Sequence, residues 1–152
     1  MRNRRLCAAL LAAGLLAGCS GIKTYPDTFP KNLRIHATIS KVQAELHIRR
    51  VDANCQTEYQ GTVQLDKSSV EVGIPSGRQS LVAFTFSSSS FLSGSSSSVR
   101  YDTLLTPRAG YTYDVRVSYL DNIYSVTVRE IDPRGSSSRE IERRDLRTCR
   151  AA

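Results

Sequence analysis

Residues 111–131 read YTYDVRVSYLDNIYSVTVREI. Tyr111, Tyr113, Val115, Val117 and Tyr119 fall on every second position, and Tyr124, Val126 and Val128 resume the same period after Asp121-Asn122. A period of two is that of a strand with one buried and one wet face. Asp and Asn tolerate the positive φ that a tight hairpin needs, so Tyr111–Leu120 and Ile123–Ile131 are expected to pair antiparallel.

The same alternation recurs upstream. Val42, Ala44, Leu46 and Ile48 alternate with Gln43, Glu45, His47 and Arg49. Tyr59, Gly61, Val63 and Leu65 repeat it, as do Val70, Val72 and Ile74, and Val82, Phe84 and Phe86. Leu33–Ile39 and Val99–Leu105 are weaker candidates, which brings the total to seven or eight strands. Turn residues separate them at Asp52-Ala53-Asn54, 66–69, Pro75-Ser76-Gly77 and Pro107-Arg108-Ala109-Gly110. Many short alternating strands predict an all-β chain, an antiparallel β-sandwich or small barrel, with a short C-terminal helix or strand. No internal sequence repeat stands out.

The N-terminus has a different grammar. MRNRRLCAALLAAGLLAGCS places three arginines before an apolar run from Leu6 to Leu16 and closes on small residues before Cys19. Eleven residues make a helix of roughly 16 Å, short of the ~30 Å hydrocarbon core, so the layout is that of an export signal rather than a span. Leu16-Ala17-Gly18-Cys19 resembles the lipobox of bacterial lipoproteins. That resemblance implies removal of residues 1–18 and lipidation of Cys19, with acyl chains such as palmitate holding the chain end in a bilayer. Ser20 lacks the Asp charge that retains such proteins at the inner membrane. The implied address is therefore the periplasmic face of a Gram-negative outer membrane. Residues 19–32, with Pro26 and Pro30 and no apolar period, read as a lipidated tether, and 33–152 as one domain. The turns Val72-Gly73-Ile74-Pro75-Ser76-Gly77 and Pro107-Arg108-Ala109-Gly110-Tyr111 also resemble those of small Gram-negative envelope lipoproteins with a β-sandwich domain.

The chain has 152 residues, 21 Lys+Arg and 14 Asp+Glu. With Arg2, Arg4 and Arg5 in the leader, 18 basic residues face 14 acidic ones, too small a surplus to indicate nucleic acid as a partner. Of four cysteines, Cys7 leaves with the leader and Cys19 carries the lipid. Cys55 and Cys149 remain, and in an oxidising compartment they most simply form a disulfide. A metal or redox pair is the alternative, disfavoured because neither cysteine sits in a CxxC or near a histidine.

Two segments are candidates for binding. Residues 87–98, SSSSFLSGSSSS, hold nine serines in twelve and read as a mobile loop. Phe91 and Leu92 at its centre either probe a partner or fold back on the sandwich, the second being the simpler reading. The basic tail, 134–152, carries Arg134, Arg139, Arg143, Arg144, Arg147 and Arg150 against three acids up to residue 150. Read as a helix, Arg139, Arg143, Arg147 and Arg150 line one side, suited to lipopolysaccharide phosphates or peptidoglycan carboxylates. A solvated, ion-paired face or a final strand is the plainer alternative. The seven tyrosines read chiefly as packing residues.

No nucleophile elbow, zinc-helix motif or phosphate-cradling loop occurs. Only His36 and His47 offer a base, and Ser20-Gly21-Ile22-Lys23 lies in the tether. The expectation is a non-catalytic accessory that needs no metal or cofactor and binds another envelope protein. A module for an anionic envelope glycan or lipid is the alternative.

Overall fold

The computed structural model describes residues 22–89 and 96–150. Nine strands are defined among them. They are β1 (Leu33–Ile39), β2 (Gln43–Val51), β3 (Thr57–Gln64), β4 (Ser69–Val72), β5 (Ser80–Ser89), β6 (Ser96–Leu105), β7 (Thr112–Leu120), β8 (Ile123–Ile131) and β9 (Ser138–Ile141). Sheet one runs β4-β1-β7-β8-β9 and sheet two β3-β2-β5-β6, so the chain is a sandwich and not a closed barrel.

The hairpin read from 111–131 forms as expected. Leu120 pairs with Ile123, and Asp121 and Asn122 take φ of 49° and 64°, the two positive values of a type I′ turn. Both weaker candidates are strands, and β9 raises the count to nine. One pairing departs from the antiparallel expectation: β1 lies parallel to β7 from Leu33↔Tyr113 to Ile39↔Tyr119. Alternation fixes which face of β1 is buried but not which neighbour it takes.

The inward phase of each strand fills the space between the sheets. Leu33, Ile35, Leu46, Ile48, Phe84 and Val115 are at most 1% exposed, each contributing about 1.5–3 kcal/mol by leaving water. Strand β5 is buried on both faces at its start, because Leu81 packs outward with Val51 and Leu104 beneath Leu146 and Cys149.

Residues 24–32 are not a free tether. Tyr25 N–H donates to Thr62 O (2.9 Å) and Thr62 N–H to Lys23 O (2.8 Å), while the Tyr25 hydroxyl donates to Gly73 O (3.0 Å). The Asn32 amide brackets Ile74 through both its backbone groups. Two glycines admit this segment: a Cβ on Gly61 would stand 2.5 Å from the Tyr25 backbone, and one on Gly73 2.1 Å from Phe29 O. The expected tether, 19–32, therefore extends no further than residue 22. Cys19 and the leader lie outside the described residues.

The serine segment is corrected as well. Ser87↔Ser98, Ser88↔Ser97 and Ser89↔Ser96 continue the β5–β6 ladder, so 87–89 and 96–98 are paired strand ends, while residues 90–95 lie outside the described residues. Backbone pairing begun at Ser80↔Leu105 needs no apolar side chains to continue. Phe91 and Leu92 lie outside the described residues.

Candidate functional site

The tail is not a helix carrying an arginine stripe. Asp132 shapes the turn before it, accepting from the Arg134 and Ser136 amides (3.1 and 2.9 Å) and from the Ser136 and Ser137 hydroxyls (2.7 and 2.9 Å). The Ser136 hydroxyl leads the set of bonds that holds the Asp132 carboxyl down to about 2. The chain then pairs with β8 as β9, from Val128↔Ile141 to Ile131↔Ser138. It next crosses to sheet two, where Leu104 N–H donates to Arg144 O (2.8 Å) and Arg144 N–H to Thr103 Oγ1 (2.9 Å). A single 3₁₀ turn, Leu146–Thr148, lies over Leu81 and Leu104. It ends at the disulfide between Cys149 and Cys55, whose Cα atoms are 5.9 Å apart.

This path disperses the candidate arginines. Arg139 ion-pairs with Glu130 (3.0 Å), and Arg143 with Asp102 (3.0 Å) while its Nε donates to Asp102 O (2.9 Å). Among the described residues, Arg144, Arg147 and Arg150 appear in no salt bridge, and all three are exposed. The tail's first task is structural: it ties the β9 side of one sheet to the β6 edge of the other.

A charged cluster that the sequence reading missed lies beside β9. Glu130 is 5% exposed and accepts from Tyr113 OH (2.7 Å), Arg139 Nε (3.0 Å) and Arg108 Nη1 (3.3 Å). Burial alone would raise its carboxyl, but the Tyr113 and Arg139 bonds outweigh burial and hold it below the usual carboxylate range. Burial, with the same Glu130 bond, pushes the Tyr113 phenol up to about 12. The clue was in the period: Glu130 continues the inward phase of Tyr124, Val126 and Val128.

The one chain of carboxylate, imidazole and hydroxyl among the described residues crosses the outer face of sheet two. Glu45 Oε2 lies 3.3 Å from His47 Nε2, His47 Nδ1 lies 2.8 Å from Thr62 Oγ1, and Tyr59 OH bonds to the same Thr62 oxygen. Gln64 Nε2 donates to Glu45 Oε1 (2.7 Å). All groups are satisfied when the phenol donates to Thr62, Thr62 to Nδ1, and Nε2–H to Glu45. Burial lowers the His47 pKa, as do the Arg100 and Arg49 charges, against an opposing pull from Glu45. Thr62 is 3% exposed and both its backbone groups are bonded to the N-terminal segment. Its oxygen is therefore not placed to attack, and its N–H is not free to hold an oxyanion. An open groove of about 480 Å³ lies nearby, between the N-terminal segment and the edges of β3 and β4, lined by Tyr25, Lys31, Gln64 and Glu71.

The end of the sandwich at the β7–β8 turn has another character. Phe86 stacks on Tyr119 (5.4 Å) and Tyr124 (5.8 Å), which brings the β7–β8 turn beside the serine hairpin. There Leu120 is 48% and Ile123 73% exposed. The pairs Ser88↔Ser97 and Ser89↔Ser96 extend past the first β2 pair, Gln43↔Ser87. No helix among the described residues is long and apolar enough to cross a membrane. No protein-family profile and no curated protein sequence matches the chain.

Proposed function

We propose that the protein is a non-catalytic lipoprotein, held through Cys19 in the outer membrane of a Gram-negative bacterium and facing the periplasm, where it binds another envelope protein. The address rests on the leader and the Leu16–Cys19 box. The presenting surface is the end formed by the β7–β8 turn and the serine hairpin. The observation that carries the reading is the exposure of Leu120 and Ile123 at a tight turn, in a fold that buries most of its other large apolar side chains. Mass spectrometry of the mature chain should find an acylated Cys19 at its N-terminus. Cross-linking in intact envelopes should recover one protein reproducibly with the wild-type chain and lose it with Leu120→Asp/Ile123→Asp. A free Cys19 thiol overturns the anchor. Equal recovery by the double variant overturns the surface.

A second reading, an anionic glycan or lipid as ligand, is supported by the exposure of Arg144, Arg147 and Arg150 beside the disulfide. Its test uses Arg144→Ala/Arg147→Ala and leaves Arg139 and Arg143 intact, because those two hold the fold. Salt-sensitive sedimentation with lipopolysaccharide or peptidoglycan should fall in this variant. Unchanged sedimentation rejects the reading.

A further inference from the structure

Strand β6 is the edge of sheet two, and its backbone shows which groups point away from β5. Leu104 N–H reaches out to Arg144 O, and Asp102 O accepts from Arg143 Nε. With a period of two, Arg100, Ser98 and Ser96 turn their N–H and C=O groups the same way. The tail covers the lower part of the edge. Among the described residues nothing bonds to the outward groups of Ser96, Ser98 and Arg100.

Uncovered strand edges are templates for pairing, and proteins blunt them with short strands, proline, charge or a covering segment. Other edges here are treated in this way. The four-residue strands β4 and β9 close sheet one, and Lys23–Tyr25 lies on β3. The upper part of β6 has no proline and one charge, Arg100, which already has Asp102 at 3.6 Å.

We propose that this edge pairs antiparallel with the β6 edge of a second copy of the chain, about a two-fold axis at Ser98. The register follows from the residues. Outward residues must face outward residues, so Ser98 meets Ser98 and Ser96 meets Arg100. Arg100 then faces a serine hydroxyl, and no like charges oppose one another. An axis at Val99 would bring Asp102 into the ladder, where Arg143 already stands. An axis at Arg100 would set two guanidinium groups against each other. Sheet two would become continuous across the pair, with eight strands.

The test uses the full-length chain purified in detergent. Across a hydrogen-bonded antiparallel pair the Cα atoms are about 5.5 Å apart, inside the range a disulfide spans. Ser98→Cys should therefore cross-link two chains under mild oxidation, above the wild-type background. Ser97→Cys, facing Val99 of the other copy, should not. Arg100→Pro removes two ladder bonds per dimer and should weaken sedimentation-detected dimerisation about tenfold or more. No cross-linking with Ser98→Cys, equal cross-linking of both cysteine variants, or a dimer indifferent to Arg100→Pro overturns the proposal. None of these readouts depends on acylation of Cys19 or on Leu120 and Ile123.

Discussion

Glu130 shows what one polar side chain in the apolar phase of a strand obliges its surroundings to supply. A buried carboxylate needs donors, and three are provided: Tyr113 from the facing strand β7, Arg139 from β9 and Arg108 from the turn before β7. Arg108 also lies 3.9 Å over the Tyr111 ring, and its amide donates to Tyr113 OH (2.9 Å). Breaking such a set leaves a charge short of partners, which costs more than the set itself contributes. Tyr113→Phe should lower stability by about 1–3 kcal/mol, measured by denaturant unfolding at pH 7. The sign of the pH effect follows from the direction of the shift. The Glu130 carboxyl is held below its ordinary 4.5, so its contribution is complete above that pH and is lost as pH falls through the lowered value. Removing the phenol takes away one bond that holds it low. The acid-unfolding midpoint should therefore move up in Tyr113→Phe, and the gap to wild type should narrow well below pH 4.5. A constant gap across that range would show that Glu130 is not the group involved. For His47, also shifted down, stability should likewise fall as pH drops below 6.5, and His47→Gln should flatten that limb.

At the scale of elements, legibility divides along a physical line. Period two is set by each residue's own neighbours, so β2, β5, β7 and β8 could be read directly, and Asp121-Asn122 announced their hairpin. The tail misled because its charges at spacings of three and four suit a helix surface, whereas pairing to β8, Thr103 and Cys55 decides its course. Those partners lie 7 to 94 residues away in sequence and leave no local trace, apart from the cysteines. The serine hairpin misled in the opposite sense. Low hydrophobicity argues that a segment cannot order itself, yet here the ladder from Ser80↔Leu105 to Phe86↔Val99 carries on into its two ends, 87–89 and 96–98. The tail also gives a prediction of its own. Its covalent tie closes a separation of 94 residues, worth up to about 4–5 kcal/mol on the chain-entropy account. Cys149→Ser should lower the melting temperature and expose Arg143, Arg144 and Arg147 to trypsin well before the sandwich is cut. Equal resistance of the tail in both proteins would mean that the Arg144 bonds and the Leu146 contacts hold it unaided.

At the scale of the whole molecule, the two terminal segments do matching work. Residues 23–32 close the side between β3 and β4, and residues 142–149 bind the side between β9 and β6, so the sandwich is fastened along both flanks. None of this was legible from residues 23–32 alone: Tyr25 is one aromatic ring among prolines, and the space it enters exists because Gly61 and Gly73 lack a Cβ. The β1–β7 pairing was hidden for a similar reason, since Leu33 and Tyr113 meet across most of the chain. That pairing also decides how the molecule bears tension. A pull on the N-terminal end first loads the contacts of Lys23–Tyr25 with Thr62 and Gly73 and then β1, which lies inside its sheet with β4 on one side and β7, parallel to it over seven residue pairs, on the other. Force along the strand then drags on the whole ladder in shear instead of opening it one bond at a time. A body hung by that end can be tugged without unravelling from the point of attachment.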